Sequence, residues 1–136
     1  MLNNTNLALL VLRLGVGLNL MILSGWQKLS SGPTFWHLVG GAMPSFGLAF
    51  MPYVWGFLAA FAEFFGSLFV ILGAPCFRCF VFMTGFTMAV AVSAHLRMPP
   101  GPMSGWQGAG HALVFLAAFV ALFISGPGKY VLKFKK

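Results

Sequence analysis

A chain of 136 residues with 60% hydrophobic, 16% aromatic and 7% charged side chains, at a mean hydropathy of +0.92, lies far from soluble domains, in which about a quarter of residues are charged. Its net charge of +7 sets eight Lys or Arg against one acid, Glu63; the cations are scattered or gathered at the C-terminus, which fits a membrane surface and excludes a nucleic-acid motif. Two cysteines exclude a disulfide scaffold, and no Gly-Lys-Ser/Thr or Asp-rich element offers a phosphate or calcium site.

In chain order, four apolar stretches are each long enough to cross a hydrocarbon core that takes about 20 helical residues: Leu7 to Leu29, Pro52 to Gly73, Phe77 to Leu96 and Gln107 to Ser125. The fold class expected is an all-α, integral membrane four-helix bundle forming one domain over residues 1–136. The first stretch lacks a basic leader and a small-residue cleavage site, so it reads as a retained helix. Between the first and second spans, Ser30 to Met51 carries Gly32, Pro33, Gly40, Gly41, Pro44 and Gly47, which break a continuous span and predict a short re-entrant or interfacial piece. Ala74-Pro75-Cys76 makes the second and third spans antiparallel neighbours, and Arg97 to Pro102 is a stiff proline-rich link to the fourth. Gly126-Pro127-Gly128 stops the last helix before a tail bearing Lys129, Lys133, Lys135 and Lys136. The side holding both termini has Arg78 and those four lysines, with Arg13 close by, against Lys28 and Arg97 opposite. The positive-inside rule therefore predicts cytoplasmic termini.

Helical projection of the first span puts Arg13, Gly17, Leu20, Ser24, Gln27 and Lys28 on one stripe, which should face protein. In the second span Gly56, Ala59, Ala60, Glu63, Gly66 and Ser67 share a face, with phenylalanines covering the rest. Small residues let helices approach, and Glu63 sits among them near mid-span, where an unpaired carboxylate is costly. Arg13 is the expected partner. The pair reads either as a functional site or as a lock between two helices, and Arg13 has the further option of snorkelling.

His95 and His111 lie near the outer ends of the third and fourth spans, level with Gln27, Lys28, Trp26 and Trp106, which predicts a polar pocket under an aromatic belt. The histidines read as interfacial hydrogen-bonded residues, or as donors to a quinone carbonyl, or as metal ligands. Haem would use both, and copper would add Met98 and Met103; neither spacing matches a dedicated metal motif, so a quinone fits better than haem or copper. Cys76-Phe77-Arg78-Cys79 is a C-x-x-C at a predicted helix start, a pattern used in dithiol exchange. The same residues also read as inert, reduced cysteines in a cytoplasmic loop, dispensable for folding.

Leu12-Arg13-Leu14-Gly15 through Gly25-Trp26-Gln27-Lys28-Leu29, then Ala62-Glu63-Phe64-Phe65-Gly66 through Leu72-Gly73, then Ala94-His95, then Gly126-Pro127-Gly128-Lys129-Tyr130, together resemble the DoxX family of small four-helix bacterial membrane proteins. The resemblance implies an inner-membrane address and a group that includes the membrane subunit of thiosulfate:quinone oxidoreductase and partners in thiol and oxidant handling. The positions it carries over are Arg13, Lys28, Glu63 and His95. The chain departs from the family pattern at His111 and Lys133, where acidic residues are common. The resulting expectation is a redox-associated subunit in which Glu63 and His95 act catalytically and Arg13, Lys28 and His111 bind a quinone-like molecule. No flavin or nicotinamide motif is present, so electrons would come from a protein partner in a membrane complex. The alternative is a non-catalytic accessory subunit packed against a larger complex; a transporter is disfavoured because no inverted repeat or broken-helix pair is evident.

Overall fold

A computed structural model describes residues 4–132. Lys133, Lys135 and Lys136, part of the charge count above, lie outside the described residues. The chain is all-helical, and four helices are long and apolar enough to cross a membrane: α1 (Asn4–Ser30), α3 (Pro52–Leu72), α4 (Phe77–Arg97) and α5 (Gly105–Ser125). A short helix α2 (Pro33–Gly40) and a 3-10 turn (Met43–Phe46) occupy the expected re-entrant connection. Three of the eight span ends coincide with the sequence reading, and the other five differ by one to three residues. α3 stops at Leu72 because Gly73 adopts φ +64, and the Gly73 and Ala74 amides turn back to the Val70 and Phe69 carbonyls.

Glycine contacts fix the register of the bundle. A Cβ on Gly25 would lie 2.6 Å from the Phe64 nitrogen, and one on Gly17 would strike Ile71, so α1 runs antiparallel to α3 with backbones nearly touching. Gly40 abuts the Pro52 carbonyl and Gly56 the Trp36 carbonyl, so α2 extends the line of α1 along the first half of α3. The break between α1 and α2 is at Gly32, whose φ of +80 precedes Pro33 at the first helical position. The Lys28 carbonyl freed there finds a side-chain donor, Trp36 Nε1 at 2.8 Å, while Ser31 Oγ adds a second bond to Gln27 O at 2.6 Å. Such repair lets an interrupted helix persist in an apolar setting.

α1 and α3 each contain a wider π turn, over Leu20–Trp26 and Ala62–Gly66, and these turns face one another. The shared core joins Leu20 of α1, Val70 of α3, Val81 and Met88 of α4, and Phe115, Phe119 and Leu122 of α5. Arg13, Gly17 and Leu20 of the first stripe are buried, as are Gly56, Ala60, Glu63, Gly66 and Ser67 of the second. Thr84 Oγ1 donates to the Ala62 carbonyl at 3.3 Å, tying α4 to the π turn of α3. The last turn of α5 ends at Gly126, and the following segment folds back so that the Lys129 amide donates to Asn6 Oδ1 and the Leu132 amide to Leu72 O. The described ends of the chain thus meet at one end of the bundle.

Candidate functional site

The facing π turns bring together the chain's one acidic side chain and a lysine. Lys28 Nζ lies 2.5 Å from Glu63 Oε1 and 2.6 Å from Oε2, and Ser24 Oγ donates to Oε2 at 2.6 Å. Glu63 is 1% exposed and Lys28 19%, so the carboxylate is sealed while the lysine side chain is only partly buried. Position follows from local structure: Ser24 and Lys28 are one turn apart on α1, and Gly25 between them has no side chain to hold α3 away. Ser67, one turn after Glu63 on the same face, has a buried Oγ without a hydrogen-bond partner among the described residues.

Lys28, not Arg13, is therefore the partner of Glu63, which corrects the expectation from sequence. The antiparallel register explains it: Gly25 sits opposite Glu63 and Phe64, whereas Gly17, about 12 Å further along at two helical turns, is already opposite Ser67 and Ile71. Arg13 is one more turn away and reaches the end of α3. It is 1% exposed and donates through Nε to Val70 O at 2.9 Å, through Nη2 to Ile71 O at 2.6 Å, and through Nη1 to Pro127 O at 2.6 Å and Tyr130 O at 2.8 Å. The Phe77 ring lies 5.7 Å away beneath the guanidinium. Arg13 thus ties the last turn of α3 to the chain beyond α5, satisfying carbonyls that helix ends leave free.

His95 and His111 stand elsewhere. His95 Nδ1–H donates to the Met103 carbonyl at 2.7 Å, fastening the end of α4 to the link before α5 and leaving Nε2 as an acceptor in the neutral ring. His111 is exposed, its ring edge-on to Phe115 at 4.7 Å. Among the described residues, no hydrogen bond joins either histidine to Glu63 or Lys28, and no group of three or more His, Cys, Asp or Glu could hold a metal ion. Trp26 and Trp106 are exposed, as an interfacial belt requires. Cys76 and Cys79 are both exposed on the first turn of α4, where the Cys79 amide donates to Cys76 O at 2.8 Å. Arg78 between them turns away, donating to Phe123 O at 3.2 Å.

Sequence reasoning placed Ser24 on the inward stripe without giving it a role, and missed Trp36 as the partner of the Lys28 carbonyl. The signal for Ser24 was its place beside Gly25, where the backbones come closest. The same Ser24–Lys28 segment and Glu63 fall within the stretch that a family model recognises. No curated protein and no solved structure matches the chain. A family model, DoxX, matches over residues 8–96, about two thirds of the sequence, taking in α1 from its second turn, α2, α3 and nearly all of α4. With its four membrane-length helices and a buried Glu63–Lys28 pair inside that match, the chain is a multi-pass membrane protein of the DoxX family.

Proposed function

We propose that this DoxX-family protein is a redox-associated membrane subunit in which the Glu63–Lys28 centre holds the polar head of a quinone-like molecule while a protein partner supplies electrons. The observation that carries the reading is the asymmetry of the pair: a fully buried carboxylate inside an apolar span, facing a lysine whose side chain is partly exposed. Intramembrane ionisable residues are expensive and tend to mark ion or ligand paths. The residues fit such a ligand. Two N–H groups of Lys28 point to the Glu63 oxygens, which leaves the third for a carbonyl, and Ser67 Oγ is a buried polar atom in want of a partner. A bound quinone would supply the two-electron chemistry. Glu63 holds Lys28 in place; Lys28 Nζ can pass a proton to a carbonyl oxygen that has gained electrons and recover one from water reaching its partly exposed side chain.

In this reading His95 and His111 form a second polar station toward the link between α4 and α5, and Arg13 has an architectural task. The Lys and Arg distribution supports cytoplasmic termini and a bacterial inner-membrane address. The test is the quinone content of protein purified gently from its own membrane. Lys28→Met and Glu63→Gln should each lower extracted quinone about tenfold, the effect of one lost charge-assisted hydrogen bond. Wild-type protein free of quinone, or variants that retain it fully, would favour the accessory-subunit reading instead. That second reading draws on one observation: Lys28 and Ser24 already engage both Glu63 oxygens, which by itself locks α1 to α3.

A further inference from the structure

The end of the bundle that gathers the described chain ends holds a separate polar feature, one helix length of about 18 Å from Glu63 as counted from Gly25 to Arg13. An open groove of about 430 Å³ runs there between α1, the end of α3 and the segment after α5. Its floor is apolar, from Leu10, Ile71, Leu72 and Leu132, and its polar lining includes Arg13 and Lys129. We infer that this groove binds an anionic phospholipid, with the phosphate at Lys129 above the buried charge of Arg13 and an apolar part of the lipid against Leu10, Ile71 and Leu72.

Charge complementarity is the first argument. Among the described residues Arg13 is buried without an ion pair: its four hydrogen bonds go to neutral carbonyls, and the one acidic side chain of the sequence is committed to Lys28. A buried cation lacking a counter-charge projects positive potential into low-dielectric surroundings, where screening is weak. Lys129 adds a second cation at the groove, makes no salt bridge among the described residues, and is joined by the exposed Tyr130. The groove therefore presents donors and cations and no carboxylate.

Depth is the second argument. Arg13 binds the last carbonyls of α3 and the chain just beyond α5, so the cations stand where two spans end, which is the level of lipid headgroups. A soluble anion would use the cations and ignore the apolar floor; a phospholipid uses both.

The experiment is native mass spectrometry of the full chain released from phosphatidylcholine bilayers containing phosphatidylglycerol. One phosphatidylglycerol should remain bound in preference to phosphatidylcholine by about tenfold, Lys129→Gln should cut that preference several-fold, and Leu10→Trp, which fills the groove, should reduce retention of both lipids. Inorganic phosphate in excess should leave the bound lipid in place. Equal retention of the two lipids, a preference untouched by Lys129→Gln, or displacement of the lipid by phosphate alone would each overturn the inference. Because the readout is a lipid adduct at the end of the bundle remote from Glu63, its failure leaves the quinone reading untouched, and the converse holds.

Discussion

At the scale of single residues, the molecule disposes of its intramembrane charges in two different ways. Glu63 has an ionic partner, and Arg13 has only carbonyls. The distinction predicts different mutational behaviour. Lys28→Met strands a sealed carboxylate and should cost about 3–5 kcal/mol in a detergent unfolding titration, whereas Lys28→Met combined with Glu63→Leu removes both charges and should recover most of that loss. If the double variant is as unstable as the single one, the pair is not what holds α1 on α3. Glu63→Gln should be milder than Glu63→Ala, because the amide keeps the volume and an acceptor for Ser24.

At the scale of elements, close backbone approach is the main device of this fold. Gly25 in the π turn of α1 meets the backbone of α3, and a side chain there must push the helices apart. Gly25→Val should therefore destabilise by about 1–3 kcal/mol and weaken the Lys28–Glu63 contact, since both elements move together. Gly15, on the same helix with nothing within 4 Å of its would-be Cβ, is the internal control: Gly15→Val should change stability by no more than about 0.5 kcal/mol in the same titration. Comparable losses at the two positions would show that the close backbone approach at Gly25 is not the cause, since helix propensity by itself favours Val over Gly. The interruption between α1 and α2 follows a related logic, because Trp36 supplies the Lys28 carbonyl with the hydrogen bond that the break removes.

At the scale of the whole molecule, Arg13 closes the bundle by joining α1, the end of α3 and the segment after α5 through one guanidinium. Substituting Met at Arg13 removes four hydrogen bonds to backbone carbonyls and frees that segment from its seat. The expected outcome is a loss of about 3 kcal/mol or more together with faster proteolysis after Gly126, while the Lys28–Glu63 centre persists. Arg13→Lys should recover only part, because an ammonium lacks the planar fork that serves carbonyls on two sides. A tail as protease-resistant in Arg13→Met as in the parent would show that the Asn6 and Leu72 contacts suffice. Labelling of single cysteines at Asn4 and Lys129 should occur from one face of the membrane, which the meeting of the chain ends requires, and that face should be the cytoplasmic one.

What the sequence by itself determined was the membrane class, the number of spans, the small-residue faces of the first and second spans, and the family to which residues 8–96 belong. These rest on hydropathy and on the 3.6-residue period, which are local properties that any reader of the chain can apply. Only the tertiary structure decided that Glu63 meets Lys28 instead of Arg13, because that choice depends on how far α1 slides along α3. Arg13, Ser24 and Lys28 all lie on one stripe, and the stripe carries no mark of register. The register is set by where Gly17 and Gly25 let backbones touch, and by two π turns that no propensity scale announces. The groove beside Arg13 was equally hidden, since it is built from α1, the end of α3 and the segment after α5, which meet only when the chain closes on itself.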